Sequence, residues 1–166
     1  MAELLTHILV GYSIGMLLAF QYDWVRAPQV TLVMIGAASP DLNRVDLVID
    51  SNMITSTFGI PWDWGALHVL GGNIMVLAIL ALLVTDEWRR RAFVLLVLGA
   101  ISHHALDLLL LNASGYSYAV LWPVTEYQPP AGMLYRSSDR VPAVIAAAVA
   151  GAIHLGYRWH ERTSPE

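Results

Sequence analysis

His103 and Asp107 are four residues apart in an apolar segment, residues 92–111. On an α-helix this spacing places both side chains on one face, where imidazole and carboxylate can ligate the same metal ion. The alternative is a simple His–Asp pair that stabilises the helix. The segment is long enough to cross a bilayer, where ionisable groups are costly, and this favours a functional role.

Three further ionisable residues, His7, Asp41 and His68, lie inside apolar segments or at their edges. Singly, the two histidines suit a membrane interface and the aspartate suits a turn, but their recurrence favours a common site. The chain contains no cysteine, so imidazole and carboxylate are the strong metal ligands available. We therefore predict that His7, Asp41 and His68 join His103 and Asp107 in a metal site.

Two other residues are candidates for the edge of this site. Asp63 either reaches the metal or is a solvated loop charge. His104 points about 100° away from His103 on a helix, so we expect it to lie behind the ligands or in the packing. His154 and His160 are expected to lie outside the site.

The composition predicts a membrane protein. Of the 166 residues, 57% are hydrophobic and 13% are charged, whereas soluble domains carry about 25% charged residues. All nine basic residues are arginine, and no basic patch indicates nucleic acid as a partner.

The apolar segments that must position the site predict an all-α fold, a polytopic transmembrane bundle of four to five helices, one of them short. We expect one integral membrane domain over residues 1–166. The segments cover residues 4–22, 28–39, 67–85, 92–111 and 141–157. Four are long enough to span, whereas the second, roughly 18 Å long as a helix, reaches only part way. The first is expected to be a retained helix, because no basic region precedes it.

Arginine distribution predicts the orientation. Six arginines fall at one end of the segments and three at the other. The first group is Arg26, Arg89, Arg90, Arg91, Arg158 and Arg162, and the second is Arg44, Arg136 and Arg140. The positive-inside rule assigns the first end to the cytoplasm. We therefore expect a multi-pass inner-membrane protein whose five ligands lie in the outer half of the bundle and face the extracytoplasmic side.

A series of short motifs runs along nearly the whole chain. In order, these are Thr6-His7 with Gly11, Pro40-Asp41, Gly65 with His68, Ser102-His103-x-x-x-Asp107, Gly115, and Leu121-Trp122-Pro123. The series resembles the membrane-bound, metal-dependent hydrolase family that includes LexA-regulated inner-membrane proteins. Members of that family typically show His-Arg-Gly-x-x-His-Ser where this chain reads Asp63-Trp64-Gly65-Ala66-Leu67-His68-Val69. Asp63 therefore replaces the first histidine, and the arginine and serine are lost.

The order of the candidate ligands is also similar to that of zinc-dependent phospholipase C. This resemblance implies that Asp41, His68, His103 and Asp107 hold one zinc ion, and that Asp107 bridges toward a second ion near His7. The later histidine and glutamate ligands of that enzyme have no evident counterpart here. We therefore expect a divalent metal cofactor, zinc, as one or two ions.

The function predicted from these residues is a metal-dependent hydrolase, similar to a phospholipase or phosphoesterase, that cleaves an ester or phosphoester of a membrane lipid or lipid-linked substrate. A bound ion lowers the pKa of water to about 7, so no nucleophilic side chain is needed. Asp41 is the candidate to orient that water or take its proton. Arg136 and Arg140 are candidates to bind a substrate phosphate.

A non-catalytic membrane protein that binds metal is the alternative, as a carrier, a bundle held together by its ion, or an inactive partner subunit. A carrier usually shows polar groups across the whole bilayer. In this chain the inner halves of the predicted helices are almost wholly apolar apart from His154, which favours a one-sided site.

Overall fold

A computed structural model of the protein describes residues 2–163 and shows a helical chain in that range. Met1 and residues 164–166 of the predicted domain lie outside the described residues. The α-helices are α1 (Ala2–Gln21), α2 (Ala27–Ala38), α3 (Ser51–Phe58), α4 (Leu70–Leu82), α5 (Asp86–Asp107) and α6 (Val141–Thr163). A first 3₁₀ helix covers Ser39–Leu47 and a second covers Trp64–His68. The predicted all-α class is confirmed.

Helix α2 packs between α1 and α5, while α6 lies against α1 and α4 against α5. The contact between α2 and α5 depends on two glycines. A Cβ atom on Gly36 would overlap the carbonyl oxygen of Leu96, and one on Gly99 would overlap that of Val33. The two backbones therefore touch directly, which small residues permit between membrane helices.

Two helices of the described chain, α1 from Leu4 onward and α6, are long and apolar enough to cross a membrane. Helix α5 has 22 residues but begins with the charged sequence Asp86–Arg91. Helix α4 has only 13 residues, about 20 Å at 1.5 Å per residue. The prediction that residues 67–85 form a spanning helix is therefore wrong, because the helix begins at Leu70, after the second 3₁₀ helix, and ends at Leu82.

Other boundaries also differ from the prediction. Helix α5 begins at Asp86 rather than at residue 92 and ends at Asp107 rather than at residue 111, while α6 continues to Thr163. Helix α3 was not predicted. It starts where Asp50 accepts a hydrogen bond from the backbone of Asn52, and it ends at Gly59, whose φ is 67°. Nearby, hydrogen bonds from the Ser51 hydroxyl and backbone lower the pKa of Asp46.

The segment between α5 and α6 folds back over the ends of α4 and α5. The backbone N–H of Leu70 donates to Val120, and that of Gly71 donates to Trp122. The Tyr135 hydroxyl donates to the carbonyl of Leu106 at 2.9 Å. These bonds bring the segment to the last turn of α5, where the candidate site lies.

Candidate metal centre

The carboxylate of Asp107, on the last turn of α5, is the centre of the site. Three imidazole Nε2 atoms approach it from three different elements. His68 lies 2.8 Å from Oδ2, His103 lies 3.2 Å from Oδ2, and His7 lies 3.2 Å from Oδ1. The structure thus brings His7 of α1, His68 of the second 3₁₀ helix and His103 of α5 around one carboxylate.

Backbone carbonyls fix the orientation of two of these rings. His103 Nδ1 lies 2.8 Å from the carbonyl oxygen of Ala37, and His68 Nδ1 lies 3.1 Å from that of Pro40. With Nδ1–H donating to a carbonyl, each ring keeps the Nε2 lone pair for a ligand. Metal-binding histidines usually donate their second nitrogen in this way. The first 3₁₀ helix continues directly from α2, so the end of α2 and this 3₁₀ helix together position both rings.

Several buried polar atoms of the cluster have no hydrogen-bond partner among the described residues. These are both ring nitrogens of His7 and Nε2 of His103 and His104. The 3.2 Å contacts of His7 and His103 with Asp107 therefore lack the geometry of hydrogen bonds. The rings of His7 and His103 are stacked with centroids 3.7 Å apart. Unpaired buried polar groups are costly, and a cation beside Nε2 of His7 and of His103 would give those two atoms a partner.

Asp41 approaches the cluster from the first 3₁₀ helix. Its Oδ1 accepts a hydrogen bond from Arg44 Nε at 2.8 Å, while its buried Oδ2 has no partner. One ligand atom from each of Asp41, His68 and His103 lies within 4.8 Å of the others, and the same holds for His7, His103 and Asp107. The two groups share His103, so they form one continuous cluster of candidate ligands.

A tyrosine links His104 to the cluster. The Tyr118 hydroxyl donates to Asp107 Oδ2 at 3.1 Å and lies 2.8 Å from His104 Nδ1. His104 thus lies behind the ligand atoms, in the direction that its helical position predicts. A second polar contact supports the junction of α2 with the first 3₁₀ helix, since Asn73 Nδ2 donates to Ser39 Oγ at 3.0 Å.

A polar cavity of about 370 Å³ opens onto the cluster. Its lining consists of Asp41, Asn43, Arg44, His68, Asp107, Leu110, Tyr118 and Ser137. Arg44 is the arginine of this lining, and its Nε donates to Asp41. Neither Arg44 nor Tyr118 is predicted from the sequence to be a site residue.

Three candidates are not brought into the cluster. Asp63 accepts a hydrogen bond from the backbone of Gly65 at 2.8 Å and caps the second 3₁₀ helix. Arg136 and Arg140 do not line the polar cavity, since Arg136 belongs to a turn closed by Asp139 and Arg140 precedes α6. Substrate binding by these two arginines stays a prediction.

Helices suited to a membrane, arranged around a buried His/Asp cluster, define an α-helical membrane protein with a candidate metal centre. The chain belongs to the YdjM inner membrane protein family, whose model matches residues 1–164. Neither a curated protein nor a solved structure matches it. Membership confirms the predicted inner-membrane protein family and location. Hydrolase activity, metal dependence, the number of crossings and the side that the site faces stay predictions.

Proposed function

We propose that this protein is a membrane-embedded, metal-dependent hydrolase that cleaves an ester or phosphoester bond of a lipid or lipid-linked substrate. The observation that carries the proposal is the convergence of three imidazole Nε2 atoms on the buried carboxylate of Asp107, all within 3.2 Å. Within the described residues, Nε2 of His7 and of His103 contacts Asp107 without the geometry of a hydrogen bond, which favours a ligand at these nitrogens.

The donor set suits zinc or a similar divalent ion. Imidazole nitrogen and carboxylate oxygen are ordinary zinc ligands, and catalytic sites keep one position open. The polar cavity gives that open position a route to solvent, because His68, Asp107 and Asp41 all line it. When bound, such an ion supplies activation of water and polarisation of a substrate oxygen.

The side chains around the cluster have separate tasks in this proposal. Asp41 Oδ2 has no hydrogen-bond partner, so it is placed to orient a water molecule or accept its proton. Tyr118 holds the Asp107 carboxylate through its 3.1 Å hydrogen bond. Arg44 pairs with Asp41 and lines the cavity, where its guanidinium can bind an anionic group of the substrate.

An apolar cavity beside the cluster supports a lipid substrate. It has a volume of about 590 Å³, lies between α1 and α6, and is walled by residues such as Val10, Ile14 and Ile145. Thr6 and Leu106, the chain neighbours of His7 and Asp107, also line it. An acyl chain in this cavity would lie beside the helix turns that carry His7 and Asp107.

Turnover is the test of this function. The purified protein is depleted of metal with a chelator, reloaded with zinc, manganese or iron, and assayed against phospholipids and fluorogenic phosphodiesters. The proposal predicts turnover only after reloading. It also predicts that Asp41→Asn loses turnover while it retains the metal. Turnover that persists after complete metal removal would contradict the proposal.

A structural metal is the second candidate, because two of the ligands, His7 and His103, are almost completely buried at 1% and 0% exposure. The two functions differ in what metal removal does. A structural ion predicts unfolding without turnover in any loaded form, whereas a catalytic ion predicts loss of turnover with the helical fold kept.

A further inference from the structure

A second polar cavity lies at the opposite end of the bundle from the metal centre. It has a volume of about 490 Å³ and is formed by α1, α2 and α6. Arg26 borders this cavity and Ala37 contacts the metal centre, so the two sites are roughly 16 Å apart along the axis of α2. The cavity shares no lining residue with the polar cavity of the metal centre.

The mouth of this second cavity is positively charged. Arg26, Arg158 and Glu161 line it, which leaves one excess positive charge. Tyr157 also lines the cavity at this end. An anion at the mouth would therefore meet the guanidinium groups of Arg26 and Arg158.

Below the mouth, an exposed hydrogen-bonded pair lies among the apolar side chains of α1 and α6. The hydroxyl of Tyr12 and Nδ1 of His154 are 2.6 Å apart. His154 is one helical turn from Arg158, about 6 Å along α6. If Nδ1 accepts from the tyrosine, Nε2 carries a hydrogen atom that can be donated to a ligand. Around this pair the walls are apolar, with Met16, Val30 and Met34.

We propose that this cavity binds one anionic glycerophospholipid. It presents guanidinium groups at the mouth and, further in, an imidazole among apolar walls. A glycerophospholipid has a phosphate at one end, followed by ester carbonyls and acyl chains. Basic pockets between transmembrane helices are known binding sites for anionic head groups. The proposal does not depend on the hydrolase function, because it involves different residues and no metal.

Native mass spectrometry of the full chain in non-ionic detergent tests the proposal. The probes are phosphatidylglycerol and phosphatidylcholine with identical acyl chains, offered at equal concentration. We expect one phosphatidylglycerol to be retained in preference to phosphatidylcholine. Removal of the charges in Arg26→Gln/Arg158→Gln should weaken its retention by about fivefold for each arginine.

Arg90→Gln is the matched control, because Arg90 is exposed at the same end of the bundle but lines a different cavity. It should leave retention unchanged. Thr31→Trp is a steric variant that keeps every arginine and places an indole in the cavity that Thr31 lines. It should abolish retention of phosphatidylglycerol.

The proposal is overturned if both lipids are retained equally, or if Arg90→Gln weakens retention as much as the double variant does. Either result would mean that lipids only surround the helices without a defined site. If circular dichroism shows that the double variant does not fold, retention of phosphatidylglycerol is measured in Arg158→Gln and in Thr31→Trp instead. Unchanged retention of phosphatidylglycerol in both would equally reject the site.

Discussion

Substitution of Gly99 by alanine should disturb both the packing of the bundle and the metal centre. A Cβ at this position would overlap the carbonyl oxygen of Val33 in α2, whereas ordinary Cβ contacts lie at 3.4 Å or more. The two helices would have to separate by on the order of an ångström, which in a close-packed interior costs about 1–3 kcal/mol. Gly99 is one helical turn from His103, so the 2.8 Å bond from His103 to Ala37 would lengthen beyond hydrogen-bond range.

Loss of such a supporting bond lowers metal affinity by about 10- to 100-fold. We therefore expect Gly99→Ala to bind zinc about 10- to 100-fold more weakly in a chelator competition titration. The variant should also unfold at a lower temperature than the wild type. Gly151→Ala is the matched control, because nothing lies within 4 Å of a Cβ there. Zinc affinity and thermal stability equal to those of the wild type would refute the role given to the contact between α2 and α5.

Three further variants test single contacts. Tyr118→Phe removes the hydroxyl that holds Asp107 and should lower zinc affinity by about tenfold or more, measured by the same titration, with helical content unchanged. Arg44→Gln should reduce kcat/KM for an anionic substrate by about tenfold or more, as expected for a hydrogen bond to a charged group, whereas Arg140→Gln should not. Ser39→Ala leaves a buried amide without its acceptor and should cost about 1–3 kcal/mol of unfolding free energy in a denaturant titration.

Matched substitutions away from the site show whether these losses of zinc affinity and stability are specific to the residues of the site. Tyr116→Phe changes an exposed tyrosine of the same segment, and Ser56→Ala changes an exposed serine of α3. An equal loss of zinc affinity in Tyr116→Phe would contradict the role of Tyr118. An equal loss of stability in Ser56→Ala would contradict the account of Ser39.

The positions of the first two helices follow closely from the sequence. Helices α1 and α2 begin and end within about two residues of the apolar segments, since those segments are uninterrupted and flanked by polar or turn residues. The proximity of His7, His68, His103 and Asp107 could also be predicted, because ionisable groups in an apolar chain need common partners. Their meeting in the structure does not by itself test the bound metal.

Other features depend on contacts between distant parts of the chain. Residues 67–85 have the composition of one long helix, yet His68 belongs to a 3₁₀ helix that precedes α4. This 3₁₀ helix packs against Gly72, where a Cβ atom would overlap the carbonyl oxygen of Ala66. Tyr118 reaches Asp107 only because its segment is hydrogen-bonded to the start of α4. No periodicity in an irregular segment predicts such a contact.

Elemental analysis of the purified protein tests the central claim most directly. The protein is prepared without a histidine tag and compared with Asp107→Ala and His68→Ala, and with His160→Ala, whose histidine lies outside the cluster. The account predicts about one or two equivalents of zinc, manganese or iron, lost in the first two variants while they stay folded and kept in the third. A well-folded wild type that holds no metal, even after reconstitution, would contradict the account and leave a polar cluster between helices.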